Sequence, residues 1–121
     1  MGEPVELGPG TASVALVTVP EMAADERGLV HGGFVFGLAD YAAMLAVNHP
    51  NVVLGSAETR FLKPVAVGET LLARASVLET SGRKSEVKVE VLRGEEAVMT
   101  GELACFTLDR HVLDPVLDKE G

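Results

Sequence analysis

The chain has 121 residues, of which 47% are hydrophobic, and a formal net charge of −8. This length is typical of one domain, so we expect a single domain over residues 1–121. The negative charge and the few aromatic residues disfavour binding to nucleic acid or to an anionic membrane, because both reward clusters of Lys and Arg.

The chain contains one cysteine, Cys105, so no internal disulfide can form. Residues 1–10 have neither the basic region nor the apolar run of a signal peptide, and we therefore expect a cytoplasmic protein. Cys105 lies in an apolar, strand-like run, which favours a buried small hydrophobic side chain over a nucleophile.

The first half of the chain predicts one strand and one helix. Residues 1–10 are rich in Gly and Pro and predict an irregular lead-in, followed by a β-branched strand at Thr11–Val19. A polar loop, Pro20–Arg27, leads towards a helix that runs from near Gly32 to near Val47. Pro50 marks the stop, because the residue before a proline is disfavoured in a helix.

The second half predicts four strands joined by short links. The first is followed by a connection at residues 63–69 that contains Pro and Gly, and the others are separated by turns short enough for antiparallel hairpins. The tail at 109–121 is polar and acidic, and we expect a loosely held end. The predicted strands are 52–62, 70–79, 84–93 and 96–108.

The predicted helix is apolar or small at nearly every position, which indicates that it is buried. It is too short to span a bilayer, which needs roughly 20 apolar residues. Asp40 interrupts this run, and an unpaired carboxylate in such a place would cost several kcal/mol to desolvate. We therefore expect Asp40 either to have a function or to be paired with a structural partner.

The helix opens on His31, Gly32 and Gly33. Glycines let another group approach the backbone closely, and the first N–H groups of a helix are free to hold an anion or a carbonyl oxygen. A donor site and a lone acid thus share one helix.

An antiparallel sheet of about five strands has one face to bury, and the apolar helix is the element available to cover it. We expect an α+β fold in which the sheet wraps around the helix. One layer of sheet would leave the far side of the helix exposed, so a second copy of the chain is expected to cover it, most simply through twofold symmetry.

Three motifs resemble the hotdog-fold acyl-CoA thioesterases, in particular the PaaI-like group. They are GLVHGG at 28–33, LAD at 38–40, and FLKPV at 61–65 followed by Gly68. The similarity extends over roughly residues 11–108. It implies hydrolysis of an acyl-CoA thioester at a dimer interface, in a dimer or a tetramer made of two dimers, with coenzyme A as part of the substrate and no metal or redox cofactor.

The resemblance also implies roles for individual residues. The backbone N–H of Gly33 would polarise the thioester carbonyl, and Asp40 would act as general base or nucleophile. His31 is a further candidate, which orients the loop or caps the helix, or acts as a base. The family often has Asn six residues before this histidine, whereas this chain has Asp25, which puts a role there in doubt.

Spacing along the helix constrains how the two main candidates act. Gly33 and Asp40 are seven residues apart, which is about two turns and about 10 Å along the axis. One helix therefore cannot place both on one carbonyl, and we expect Gly33 from one subunit and Asp40 from its twofold mate. Asp40 could instead be a structural acid that caps a loop or bonds a Ser or Thr hydroxyl, and Gly32 and Gly33 could serve only tight packing.

Cations for the coenzyme A phosphates are scattered. Arg83 and Lys84 follow Gly82 in a turn that presents both at the surface, and they are the preferred substrate-binding pair, with Lys63 and Gly32 as further candidates. No cluster has metal-ligand spacing, and no Walker-type phosphate loop is present. Two other functions stay open: a non-catalytic acyl-CoA-binding module, and a dehydratase that uses His31.

Overall fold

The computed structural model describes residues 2–113. One α-helix packs against one six-stranded sheet in which every neighbouring pair of strands is antiparallel. This is the hotdog arrangement that the sequence predicts, with one strand more than expected. In chain order the elements are β1 (Glu3–Gly8), β2 (Thr11–Val17), a 3-10 turn (Pro20–Met22), α1 (Gly32–Val47), β3 (Val52–Phe61), β4 (Thr70–Ser81), β5 (Lys84–Arg93) and β6 (Glu96–Thr107).

The prediction of an irregular lead-in at residues 1–10 is wrong, because Glu3–Gly8 forms β1 and pairs with β2. Pro9 and Gly10 make a tight turn between β1 and β2, in which Gly10 has a positive φ of 71°. All six residues of β1 are exposed, so this edge strand has no alternation of buried and exposed positions for a pattern to reveal.

The order of strands across the sheet is β1-β2-β4-β5-β6-β3. The inner face carries a transverse row of apolar side chains, which pack against α1. The row runs through the buried Val14, Ala73, Val91 and Met99, and Phe61, which is in register with Met99 at the β3 end of the row, is 54% exposed. Strand β3 lies at one edge of the sheet, so the outer side of its backbone is open to pairing with another strand.

Helix α1 has the predicted bounds, and Asn48 ends it in the left-handed conformation with its N–H on Met44 O. One face of the helix, from Val35 to Ala46, is buried against the sheet. The opposite face is only half-buried, including the large side chains of Phe36, Tyr41 and Met44. A single protomer therefore leaves apolar helix surface partly open.

The remaining strand predictions are confirmed with small changes. Strand β5 has the predicted bounds, β4 extends two residues further than predicted, and β2, β3 and β6 end one or two residues earlier. The described part of the tail, 109–113, has no helix or strand, and 114–121 lie outside the described residues. No helix in the described range 2–113 is long and apolar enough to cross a membrane.

Candidate active site

The first turn of α1 exposes two unused backbone donors. Gly32 and Gly33 are both exposed, and within residues 2–113 neither of their N–H groups has a hydrogen-bond acceptor. The next donor is occupied, because Phe34 N–H bonds His31 O at 3.1 Å. The helix dipole adds a partial positive charge at this end. This turn can therefore hold a carbonyl oxygen that develops negative charge.

Gly33 has no packing reason to be glycine inside the protomer. A Cβ added to it would meet no described atom within 4 Å, and its φ is not positive. At Gly32 an added Cβ would make an ordinary contact with the Phe61 ring at 3.5 Å. Packing inside the protomer therefore does not require glycine at position 33, and the open space beside it is free for a ligand or a second chain.

His31 stands immediately before the first turn. Its N–H donates to Met22 O at 3.0 Å, and its side chain is exposed and makes no cap hydrogen bond to the helix. The ring lies 6.3 Å from that of Phe34 in a tilted arrangement. His31 therefore occupies the N-cap position of α1, with no hydrogen bond from its side chain to the helix.

Asp40 lies in the middle of α1 with one oxygen sealed from solvent. Its Oδ1 is buried and has no hydrogen-bond partner among the described residues. Burial raises the pKa of this carboxyl above its ordinary value, because desolvation disfavours the charged form. The alternative that Asp40 bonds a Ser or Thr hydroxyl is not supported by the structure.

Cys105 on β6 is a buried thiol in the core. Its side chain is fully buried, and burial followed by the negative charge of Asp40 raises the pKa of the thiol to about 11. The thiol is therefore protonated at neutral pH, as expected of a buried structural cysteine.

A single protomer does not bring Gly33 and Asp40 together. Both lie on α1, seven residues apart, which corresponds to about 10 Å along the axis. Within residues 2–113, the Gly33 N–H has no hydrogen-bond acceptor and the Asp40 Oδ1 has no donor. Each group therefore lacks the kind of partner that the other could supply.

Asp25 bonds its own loop. Its Oδ1 accepts hydrogen bonds from the N–H groups of Arg27 and Leu29, at 2.9 Å and 3.0 Å. The carboxylate thereby closes the turn that precedes the Gly28–Gly33 segment, which gives the aspartate at this position a structural role.

The cations predicted to bind substrate lie at opposite ends of the protomer. Lys63 follows β3 near the start of α1, where its Nζ is 3.5 Å from Glu96 Oε2. Arg83 lies in the β4–β5 turn and Lys84 begins β5. Both are near the end of α1, since Lys84 is in register with Phe106, and Thr107, the next residue, is in register with Val52 on β3. They pair with Asp109 and Glu86 at 2.7 Å and 3.2 Å.

A groove lies beside the first turn. Its volume is about 280 Å³, and its wall includes Val30, Gly32, Val35, Phe61 and Leu62. A larger groove of about 520 Å³ lies on the outer face of the sheet, around Arg60, Lys88 and Glu102, and includes neither Gly33 nor Asp40. The smaller, largely apolar groove is therefore the one next to the candidate donors.

The pattern of the 63–69 segment predicts only a connection, but the structure shows several hydrogen bonds to it. Arg93 donates to Pro64 O and to Glu69 Oε1, and Thr18 Oγ1 lies 2.8 Å from Glu69 O. The one sequence feature that could have pointed to them is the polar Thr18 at the end of an apolar strand. In the described range, no group of three or more His, Cys, Asp or Glu side chains could hold a metal ion.

Comparison with known proteins places the chain in a family. The family model of the thioesterase superfamily matches residues 27–100, which is more than half of the sequence. The chain belongs to the thioesterase superfamily. The match includes the first turn of α1, Asp40 and the FLKPV segment, and so contains the residues that the sequence identifies as candidates.

Solved structures agree with this assignment. A protein of Pyrococcus horikoshii is 57% identical, with a TM-score of 0.92 over 93% of this chain and 87% of that one. A point mutant of the phenylacetic acid degradation protein PaaI from Thermus thermophilus is 32% identical, with a TM-score of 0.81 over 88% of this chain and 92% of that one.

Two curated relatives are longer proteins. Methylthioribose-1-phosphate isomerase of Aquifex aeolicus is 54% identical over 109 residues, which are 89% of this chain and 24% of that protein. The transcription factor FapR of Shouchella clausii is 29% identical over 106 residues, 87% of this chain and 56% of that protein. The chain thus spans a quarter to about half of the length of these relatives.

Proposed function

We propose that this protein hydrolyses an acyl-CoA thioester to a free acid and coenzyme A, at a site shared between two copies of the chain. One observation carries the proposal: a buried, unpartnered carboxylate oxygen on Asp40 lies on the same helix as unbonded donors at Gly32 and Gly33. Membership of the thioesterase superfamily and the similarity to a PaaI protein support it.

The proposed mechanism divides the work between two protomers. The Gly33 N–H of one protomer holds the carbonyl oxygen and stabilises the negative charge that grows on it during attack. Asp40 of the other protomer acts on the opposite side, either by taking a proton from water or by attacking the carbonyl carbon. By the first route, the water oxygen bonds to the acyl carbon, the bond from that carbon to sulfur breaks, and the proton taken by Asp40 passes to the sulfur, so the free acid and coenzyme A leave. By the second route, the carbon–sulfur bond breaks as a mixed anhydride with Asp40 forms, and the coenzyme A thiolate takes a proton from solvent. Water then hydrolyses the anhydride to the free acid and regenerates Asp40.

The edge strand β3 is where we propose that the second copy docks. It is ten residues long, and its outer backbone edge is unpaired in the protomer. A long open edge invites pairing with another strand, and a twofold axis beside β3 would extend the sheet across the dimer. The half-buried face of α1 supplies apolar surface for the same contact.

The twofold arrangement would also account for the distance of two candidate cations, Arg83 and Lys84, from Gly33 of their own protomer. With antiparallel pairing of two β3 strands, the end of α1 in one protomer approaches the start of α1 in the other. Arg83 and Lys84 would then serve the partner's site, where exchange of an acidic partner for a phosphate is possible because both pairs are exposed.

The test is the release of thiol from a panel of acyl-CoAs of different chain length and of aryl-acyl-CoAs, measured with a thiol reagent. The Asp40→Asn variant, purified identically, controls for contaminating hydrolases. We expect release by the unmodified protein and at least about a hundredfold less by the variant. The absence of release from every member of the panel would contradict the proposal.

A second candidate is a non-catalytic acyl-CoA-binding module. The similarity to proteins named as the transcription factor FapR favours it, since a regulator needs to bind a ligand but not to cleave it. Isothermal titration with the same panel separates the two functions. Stoichiometric binding without thiol release would assign the module, whereas turnover would assign the enzyme.

A further inference from the structure

Residues 62–69 form a connection between β3 and β4 that lies against the segment leading into the first turn of α1. Val30 N–H donates to Val65 O at 2.7 Å, and Val67 N–H donates to Gly28 O at 2.8 Å. Leu29 and Ala66 are bridge partners between these two bonds. The position of the 62–69 connection therefore fixes the backbone just ahead of His31.

Arg93, the last residue of β5, ties this connection to the sheet. Its Nη1 donates to Pro64 O at 2.8 Å and to Glu69 Oε1 at 2.9 Å, while Nη2 donates to Glu96. The side chain is only 26% exposed. The planar guanidinium of Arg93 binds three acceptors at once, which fixes the position of the side chain. The single ammonium group of a lysine could not make the same set of hydrogen bonds.

Glu69 closes the connection on itself. Its Oε1 accepts the Ala66 N–H at 2.9 Å as well as the bond from Arg93. The hydrogen bond from Ala66, followed by that from Arg93, lowers the pKa of the Glu69 carboxyl, so it is charged at neutral pH.

Thr18, which follows β2, holds the same connection from the other side. Its side chain is buried, and its Oγ1 lies 2.8 Å from Glu69 O and 3.1 Å from Ala66 O. Its backbone N–H donates to Glu69 O at 3.0 Å, and its carbonyl accepts the Gly68 N–H at 3.0 Å. The connection is thus held between two strands of the sheet.

We infer that Arg93 is a positioning residue for the proposed thioesterase: through Pro64 and Glu69 it fixes the 62–69 connection, and through Val30 it fixes where the Gly33 N–H points. The inference rests on the proposed function for its effect on turnover. It does not depend on that function for its effect on the backbone. A donor moved by about 1 Å loses much of its stabilisation of a transition state.

The test is Arg93→Lys, which keeps the positive charge but replaces the planar guanidinium, with its several N–H donors, by a single ammonium group. We expect kcat to fall by roughly ten- to a hundredfold with little change in KM. In NMR spectra, the Gly32 and Gly33 amide resonances shift, and the Val30 and Val67 amides exchange faster with solvent. Arg110→Lys, at an exposed arginine beyond β6, is the matched control and leaves all of these quantities unchanged.

Thr18→Val provides an independent test if Arg93→Lys does not fold. It keeps the shape of the side chain and removes the hydroxyl, so the same fall in kcat and the same amide changes are expected. Unchanged kcat and unchanged amides in a folded variant, measured well below its melting temperature, would overturn the inference while leaving the proposed function intact.

The two proposals can fail separately. If the unmodified protein releases no thiol, the proposed function fails, and the NMR readouts alone decide whether Arg93 positions Gly33. Amide shifts in Arg93→Lys that are absent in Arg110→Lys then support positioning, and identical spectra contradict it.

Discussion

The first turn of α1 and its middle are opposites in environment and complementary in chemistry. At Gly32 and Gly33 the backbone is exposed, and its N–H groups have no acceptor in residues 2–113. Two turns later the Asp40 Oδ1 is sealed from solvent and, in the same range, has no donor. Exposed donors cost little because water satisfies them, whereas a buried acceptor without a donor is costly.

This difference indicates where the fold was selected for something other than stability. An open donor turn is an ordinary helix end, but a buried carboxylate oxygen without a hydrogen-bond partner is not. The two complementary groups lie about 10 Å apart on one rigid helix, so the protomer cannot satisfy them with each other. A twofold partner can, and that is the central claim of the proposed function.

The largest expected effect comes from removing the charge at the buried end. Asp40→Asn keeps the shape of the side chain, and we expect turnover to fall at least about a hundredfold because the general base or nucleophile is lost. Glu79→Gln, at an exposed acid on β4, controls for loss of charge and keeps full turnover. A folded Asp40→Asn protein with near-normal turnover would end the assignment of this acid to catalysis.

Removing the donor at the exposed end is expected to have a comparable or slightly smaller effect. Gly33→Pro deletes the N–H in the first turn, where proline is tolerated. Loss of one oxyanion donor costs about a hundredfold or more in kcat. Steady-state kinetics and a melting curve measure this. A normal rate in a folded variant would mean that another donor holds the carbonyl oxygen.

Stability should respond to pH in the direction set by the raised pKa of Asp40. Below the ordinary value of 3.8, both folded and unfolded chains are protonated at this residue. As the pH rises, the unfolded chain loses this proton first, so Asp40 lowers the free energy of unfolding until the pH passes the folded pKa. Urea unfolding of the unmodified protein and of Asp40→Asn at several pH values measures this effect. The difference between their free energies of unfolding should change with pH between the unfolded and the folded pKa of Asp40, and stay constant outside that range. Parallel curves would mean that the acid is well solvated.

The smallest effect is expected at the surface cations. Arg83→Met should raise KM for an acyl-CoA severalfold and leave kcat unchanged, because a phosphate contact binds ground state and transition state equally. The same acyl group on pantetheine, which lacks the nucleotide, is the control substrate, and its KM should not change. Equal effects on both substrates would exclude a role for Arg83 with the nucleotide.

The sequence was sufficient to predict the helix bounds, the antiparallel strands and the two candidate groups on α1. These features depend on local patterns: an unbroken apolar run, Gly-Gly at a helix start and Asn48 before Pro50. Strand β1 was not predicted, because all of its residues are exposed and its sequence therefore shows no alternation of buried and exposed positions. The contacts of Arg93 and Thr18 with Glu69 join positions 24 and 51 residues apart, which no local pattern encodes.

The most direct test of the central claim is complementation between inactive subunits. Asp40→Asn and Gly33→Pro chains, each inactive alone, are unfolded, mixed in equal amounts and refolded. If Gly33 of one protomer works with Asp40 of its partner, each mixed dimer has one intact site, and the mixture regains about a quarter of the unmodified activity. No recovery, despite mixed dimers detected by native mass spectrometry, would contradict the shared site.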